Sequence, residues 1–214
     1  QKTTFKYEIP YMLLITAVLL VMGMTGNEIT FIEGVILWIL FIAYLLYLYF
    51  LAKKGNDSGD EQSVKLYPVW KCLLFIVLGG VCVVIGSQLV VNGATTIARA
   101  CGMSERFIGL TIVAFGTSLP ELVTSVSAAR KGNAGIAIGN IVGSNIFNIL
   151  FVIGTVALIC PVPFESRFVI DTVVAILCGV LLWGGTIRHK ELRKPCGVVM
   201  LLCYAAYFVY LAAM

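Results

Sequence analysis

Long apolar runs broken by short polar stretches dominate the chain. Seven runs are long enough to cross a bilayer: Ile9–Thr25, Phe31–Ala52, Val69–Ala98, Phe107–Ala129, Ala134–Cys160, Phe168–Ile187 and Gly197–Met214. A hydrocarbon layer of roughly 30 Å needs about 20 helical residues, and the runs are too long and continuous for barrel strands. Backbone groups in lipid must bond within their own segment, so all seven are predicted to be helices. The expected fold class is an all-α, multi-span transmembrane bundle. Lys53–Tyr67, rich in Gly, Asp, Ser and Lys, reads as a flexible linker between two helical groups. Pro10, Pro68 and Pro195 fall near span starts, where a missing N–H costs least.

Composition agrees with lipid as the solvent. Of 214 residues, 60% are hydrophobic and 12% charged, and mean hydropathy is +0.99. The 15 Lys and Arg are dispersed and the net charge is +4, which argues against nucleic acid as a partner. Lys2, Lys6, Lys53, Lys54, Lys65, Lys71, Arg130, Lys131, Arg188, Lys190, Arg193 and Lys194 fall on one side of the predicted membrane. Arg99, Arg106 and Arg167 fall on the other. The positive-inside rule then predicts a cytoplasmic chain start and an external C-terminus; the expected location is the plasma (inner) membrane. Gln1 at the start, with no small-x-small cleavage site after the first run, reads as a piece of something longer. The seven cysteines have no CxxC spacing and are expected to be small core residues. His189, the one histidine, stands in the basic cluster Arg188–Lys194 and reads as solvated, which disfavours zinc or Ser-His chemistry.

Two spans carry chemistry. In the fourth, Gly116-Thr117-Ser118-Leu119-Pro120-Glu121 puts a carboxylate, two hydroxyls and a helix breaker inside an apolar segment. An acid at the bilayer centre costs about 3 kcal/mol on insertion scales, so Glu121 is expected to face a polar cavity or a partner. Pro120 has no N–H for the Gly116 carbonyl, which predicts an opened turn with hard oxygens beside the acid, a setting for Na⁺, Ca²⁺ or Mg²⁺. Thr117, Glu121 and Ser125 recur every four residues and share one helix face.

In the fifth span, Asn140, Ser144 and Asn148 form a second oxygen-bearing stripe with Asn145 beside it. Gly135, Gly139 and Gly143 make a small-xxx-small ridge, which is expected to admit a close helix neighbour. Taken alone, this stripe reads equally well as structural hydrogen bonding between helices. The Arg130–Asn133 turn returns the chain antiparallel, so Glu121, Ser144 and Asn148 all fall roughly 14–23 Å from the loop, near the midplane. Together the two stripes favour a cation site.

The first of these motifs, followed by Gly139-Asn140-Ile141-Val142-Gly143-Ser144-Asn145-Ile146-Phe147-Asn148, resembles an α-repeat of the sodium/calcium exchanger family, the Ca²⁺:cation antiporters. The resemblance extends with less force over Leu78–Met214. It implies part of a ten-helix architecture of two inverted five-helix repeats. Residues 1–52 would be the last two helices of the first repeat, 53–68 a cytoplasmic linker, and 69–214 the second repeat. It also implies exchange of Ca²⁺ for Na⁺, or H⁺, at a site of alternating access, with these ions as transported ligands and no permanent cofactor. Glu121 would be the shared carboxylate, Thr117, Ser118 and the Ala114 carbonyl Na⁺ ligands, and Ser144 and Asn148 their opposing groups. Pro120, Gly116, Asn145 and Asn140 would support them. Asn148 stands where some members have Asp. No second motif of this kind occurs in the first three spans, so the chain is expected to hold half a site and to need the missing first-repeat helices or a second chain. The competing readings are another cation/proton exchanger, a non-transporting scaffold subunit, or an intramembrane serine enzyme. The last is disfavoured because no histidine or lysine base shares the spans of Ser118 and Ser144.

Overall fold

The computed structural model describes residues 4–55, 68–103, 105–187, 192 and 194–213. Most of the expected 53–68 linker and all but Leu192 and Lys194 of the basic cluster around His189 lie outside the described residues, as do Lys2 and Met214. The fold is an all-α multi-span membrane bundle. Six helices are long and apolar enough to cross a membrane, and a bent pair makes a seventh span.

Helices α1 (Ile9–Gly26) and α2 (Phe31–Gly55) follow one another across a short connection, and Tyr11 of α1 donates to the Leu40 carbonyl of α2 at 2.9 Å. Pro10 lies in the first turn of α1, and the backbone ahead of it, Thr4–Glu8, takes the wider π register. A proline cannot donate to the carbonyl four residues back, and a π turn is a common local answer to such a gap. Pro68 stands immediately before α3 (Val69–Ala100), and Pro195 is the second residue of α10 (Lys194–Ala213). All three prolines are thus at helix starts, as expected.

The fourth span is broken. Short helix α4 (Glu105–Ile108) leads into it, and it runs through a π turn at Gly109–Val113, α5 (Ala114–Thr117) and, after Ser118, α6 (Leu119–Arg130). The axis bends by 51° at the break. Ser118 has φ −91° and ψ 0°, and its N–H bonds the Phe115 carbonyl at 3.1 Å, a tighter turn than the α-helix makes. Gly132, with φ +78°, reverses the chain into α7 (Ala134–Phe147). The fifth span continues through a third π turn at Asn148–Ile153 into α8 (Gly154–Ile159), and α9 (Ser166–Ile187) follows.

The core lies where α1 and α2 pack against α7, α8 and α9. Ile9, Ile15, Leu37, Val142, Ile146 and Leu150 are nearly or fully enclosed there. At the α2–α8 crossing, a Cβ on Gly34 would meet Ala157 Cβ at 2.9 Å and the Gly154 carbonyl at 3.0 Å, so only glycine permits this approach. A two-stranded antiparallel pairing, absent from the sequence expectation, ties the α1–α2 connection to the α8–α9 connection: β1 (Glu28–Ile29) against β2 (Val162–Pro163). Asn27, at φ 55°, ends α1, and its carbonyl accepts the Phe164 N–H at 2.7 Å. Glu33 reaches back to the N–H and hydroxyl of Thr30 at 2.7 and 2.9 Å, capping the start of α2.

Two expectations are corrected. The seven cysteines are free, but four are exposed and three half-buried; none is in the core. A thiol is apolar enough to face lipid, so an apolar run does not tell core from periphery. Among the described residues no helix seats on the ridge at Gly139 and Gly143 either: a Cβ on each would meet nothing within 4 Å. The close glycine contacts occur instead at Gly23, Gly34, Gly116, Gly154, Gly179 and Gly185. Small-residue spacing marks where approach is allowed, and the packing partners decide where it happens.

Candidate cation site

The break at Ser118 turns α6 away from α5 and sets α6 beside α7. Between them is a cavity of about 430 Å³ lined by Thr117, Ser118, Glu121, Leu122, Ser125, Ile141, Ser144, Asn145 and Asn148. Five of the six proposed ion ligands therefore meet: Glu121, Thr117, Ser118, Ser144 and Asn148. So do Ser125 of the first stripe and Asn145, expected only as support. Leu122 and Ile141 supply apolar wall.

Glu121 is half-buried, and its Oε2 is shut off from the surroundings and accepts no hydrogen bond. A carboxylate oxygen in that position lacks the compensation that buried charges normally have, and a cation supplies it. Among the described residues no group of three His, Cys, Asp or Glu gathers around a common point. A cation here is met by one carboxylate and neutral oxygens, the donor set of a hard ion.

The neutral groups show a common orientation. Thr117 Oγ1 donates to the Ala114 carbonyl at 2.9 Å, and Ser144 Oγ to the Ile141 carbonyl at 3.0 Å. The Asn145 amide nitrogen also donates to the Ile141 carbonyl, at 2.9 Å. Each uses a proton on its own helix, which leaves oxygen lone pairs for the cavity. The hydroxyls and the Asn145 carbonyl are thus placed as acceptors.

One assigned ligand lies differently from expectation. The Ala114 carbonyl already accepts Thr117 Oγ1, and Ala114 is not part of the cavity wall. Asn140, expected as support, shares the spacing of Ser144 and Asn148 but braces the helices rather than lining the cavity. Its Nδ2 reaches the Glu121 carbonyl at 3.2 Å, Thr124 Oγ1 at 2.9 Å and Ser125 Oγ at 3.0 Å. Ser125 Oγ in turn contacts the Ala137 carbonyl at 3.4 Å. Gly116 is buried against Val91 of α3, and a Cβ there would collide with the valine side chain. Gly116 thus seats the turn against α3, and Asn140 ties α6 to α7.

A polar ridge on α3 escaped the sequence reading. Gln88 donates to Asn92 Oδ1 at 3.1 Å, Thr96 donates to the Asn92 carbonyl at 2.8 Å, and the buried hydroxyl of Thr95 bonds nothing. The spacing of four at Gln88, Asn92 and Thr96 was the available signal. The ridge ends at Arg99, whose guanidinium binds Glu105 at 2.6 and 2.9 Å and holds that carboxyl below its ordinary range.

Comparison with known proteins agrees with this architecture. The family model described as sodium/calcium exchanger protein matches residues 71–213. CaxA of Alkalimonas amylolytica is 35% identical over 214 residues, covering 95% of this chain and 67% of its own length. The inner membrane protein YrbG of Escherichia coli is 32% identical, covering 90% of this chain and 62% of its own. The solved structure of the sodium/calcium exchanger from Methanococcus jannaschii superposes with a TM-score of 0.77 at 31% identity, over 98% of this chain and 65% of that one. The chain thus spans about two thirds of the length of these relatives. On the match across 71–213 and the shared fold, the chain belongs to the sodium/calcium exchanger family.

Proposed function

We propose that this chain is the larger part of a membrane antiporter that exchanges Ca²⁺ for Na⁺, or for H⁺, at the Glu121 cavity. The observation that carries the reading is the carboxylate oxygen Oε2 of Glu121, buried and without a hydrogen-bond partner in a cavity walled by acceptor oxygens. The M. jannaschii relative, a sodium/calcium exchanger, supports the choice of ions.

Glu121 is the charged ligand for which the two ions compete. Thr117 and Ser118 contribute hydroxyl oxygens from the broken helix, and Ser144, Asn145 and Asn148 contribute from α7 and the turn after it. An ion leaving water replaces its shell with these oxygens, and the opened turn at Ser118 lets them be reached without melting the span. The cavity's remaining wall comes from the absent first-repeat helices of the same protein or from a second chain. Residues 1–52 then close the first repeat and 69–214 form the second. The orientation is cytoplasmic at the chain start and external at the C-terminus, in the plasma (inner) membrane. The test is ⁴⁵Ca²⁺ uptake driven by a Na⁺ gradient in vesicles bearing the full-length protein. Glu121→Gln is expected to abolish exchange, and undiminished exchange in that variant refutes the assignment.

A further inference from the structure

A second cavity, apart from Glu121 and independent of the ion site, lies where α1 begins and α2 ends. Tyr7, Tyr11, Tyr44 and Tyr47 wall about 270 Å³, with Glu8 and Ala43 completing it. Tyr11 and Tyr44 stack with centroids 5.4 Å apart and planes 10° apart; Tyr44 and Tyr47 stack at 6.3 Å. Tyr7 meets Tyr47 edge to face at 6.5 Å. Tyrosines are common at membrane boundaries, where their hydroxyls normally reach water. Here the four rings gather around a half-open space, and the Tyr47 hydroxyl is buried and bonds nothing.

The chemistry of the walls selects a ligand class. Ring faces beside a carboxylate attract an organic cation. The unpartnered phenol oxygen asks for an N–H, which a primary ammonium has and a quaternary one lacks. Lys6 is exposed at the rim, its Nζ 5.3 Å from the Tyr7 centroid, and suits an anionic group borne close to that ammonium. Tyr47 lies six residues before Lys53, where the apolar stretch Phe31–Lys53 ends, about 9 Å along the helix. That is the level at which phospholipid headgroups meet hydrocarbon.

We propose that this cavity binds a phosphoethanolamine group, with the ammonium in the tyrosine box against Glu8 and Tyr47 Oη and the phosphate on Lys6. The source is a membrane phospholipid rather than a soluble metabolite.

The experiment measures lipid binding to the delipidated full-length protein by native mass spectrometry. Phosphatidylethanolamine, phosphatidylcholine, phosphatidylglycerol and soluble phosphoethanolamine are titrated separately. Phosphatidylethanolamine is expected to bind about ten-fold more tightly than the other two lipids. Tyr47→Phe, which keeps the ring, is expected to erase that preference, and Lys6→Gln to weaken both zwitterionic lipids. Equal affinity for the three lipids overturns the proposal, as does wild-type phosphatidylethanolamine binding by Tyr47→Phe. Competition by soluble phosphoethanolamine at the lipid's own concentration overturns the lipid source.

Discussion

Asn140 offers the sharpest separation between holding the cavity and lining it. Its Nδ2 has two protons shared among three acceptors on α6: the Glu121 carbonyl and the hydroxyls of Thr124 and Ser125. Asn140→Ala therefore removes two interhelical hydrogen bonds at a time, and at about 0.6 kcal/mol each, with single cases near 1.7, the loss is roughly 1–2 kcal/mol. For a chain of this size that corresponds to a fall in Tm of about 2–8 °C. Asn145 is the matched control, because its amide bonds only the Ile141 carbonyl of its own helix. Asn145→Ala is expected to move the ion-free Tm by less than about 1 °C. Differential scanning fluorimetry of the full-length protein in detergent, with and without Ca²⁺, reads both effects. Asn145→Ala should instead reduce the Ca²⁺-induced rise in Tm, since it removes a cavity oxygen. Equal shifts for the two variants without ion, or an unmoved Tm in Asn140→Ala, would refute the division between brace and wall. A double-mutant cycle with Ser125→Ala should give non-additive losses, because the two side chains share a bond.

Other outcomes follow from the same geometry. Ser144→Ala and Asn148→Ala should each weaken Ca²⁺ binding roughly ten-fold by calorimetry, the scale of one hydrogen-bond-strength contact to a charge, whereas Cys178→Ala, in a separate groove between α9 and α10, should leave it unchanged. Gly116→Ala drives a methyl into Val91 and should cost about 1–3 kcal/mol of stability, measured by thermal unfolding and relieved in the Gly116→Ala, Val91→Ala double variant. Glu105 is held below its ordinary range by Arg99, so the ion pair's small contribution is complete above the ordinary carboxylate range. It fades as pH falls through the lowered value; the protection of the Gly102 and Met103 amides, taken relative to intrinsic exchange at each pH, should drop in acid in the wild type and show no such drop in Glu105→Gln.

The alternation of apolar runs and polar breaks carried the span count, because hydrocarbon tolerates no unbonded backbone and each crossing needs about 20 apolar residues. Pro120 marked the break in the fourth span for an equally local reason, a missing N–H that no neighbour replaces. The acid and the hydroxyls around it were visible because each is costly in oil.

Packing decided the rest. Spacing of four places Asn140, Ser144 and Asn148 on one face, yet only the latter two line the cavity, since Asn140 sits where α6 lies against α7 and its amide is drawn to three acceptors there. Asn145 enters the wall because its amide nitrogen is turned back to Ile141. The glycine ridge at Gly139 and Gly143 stands open, while Gly34 and Gly154, unremarkable in the pattern, meet at the close α2–α8 crossing. Periodicity states which side chains share a face. Which neighbour that face receives depends on residues more than a hundred positions away, and only the assembled bundle brings them into contact.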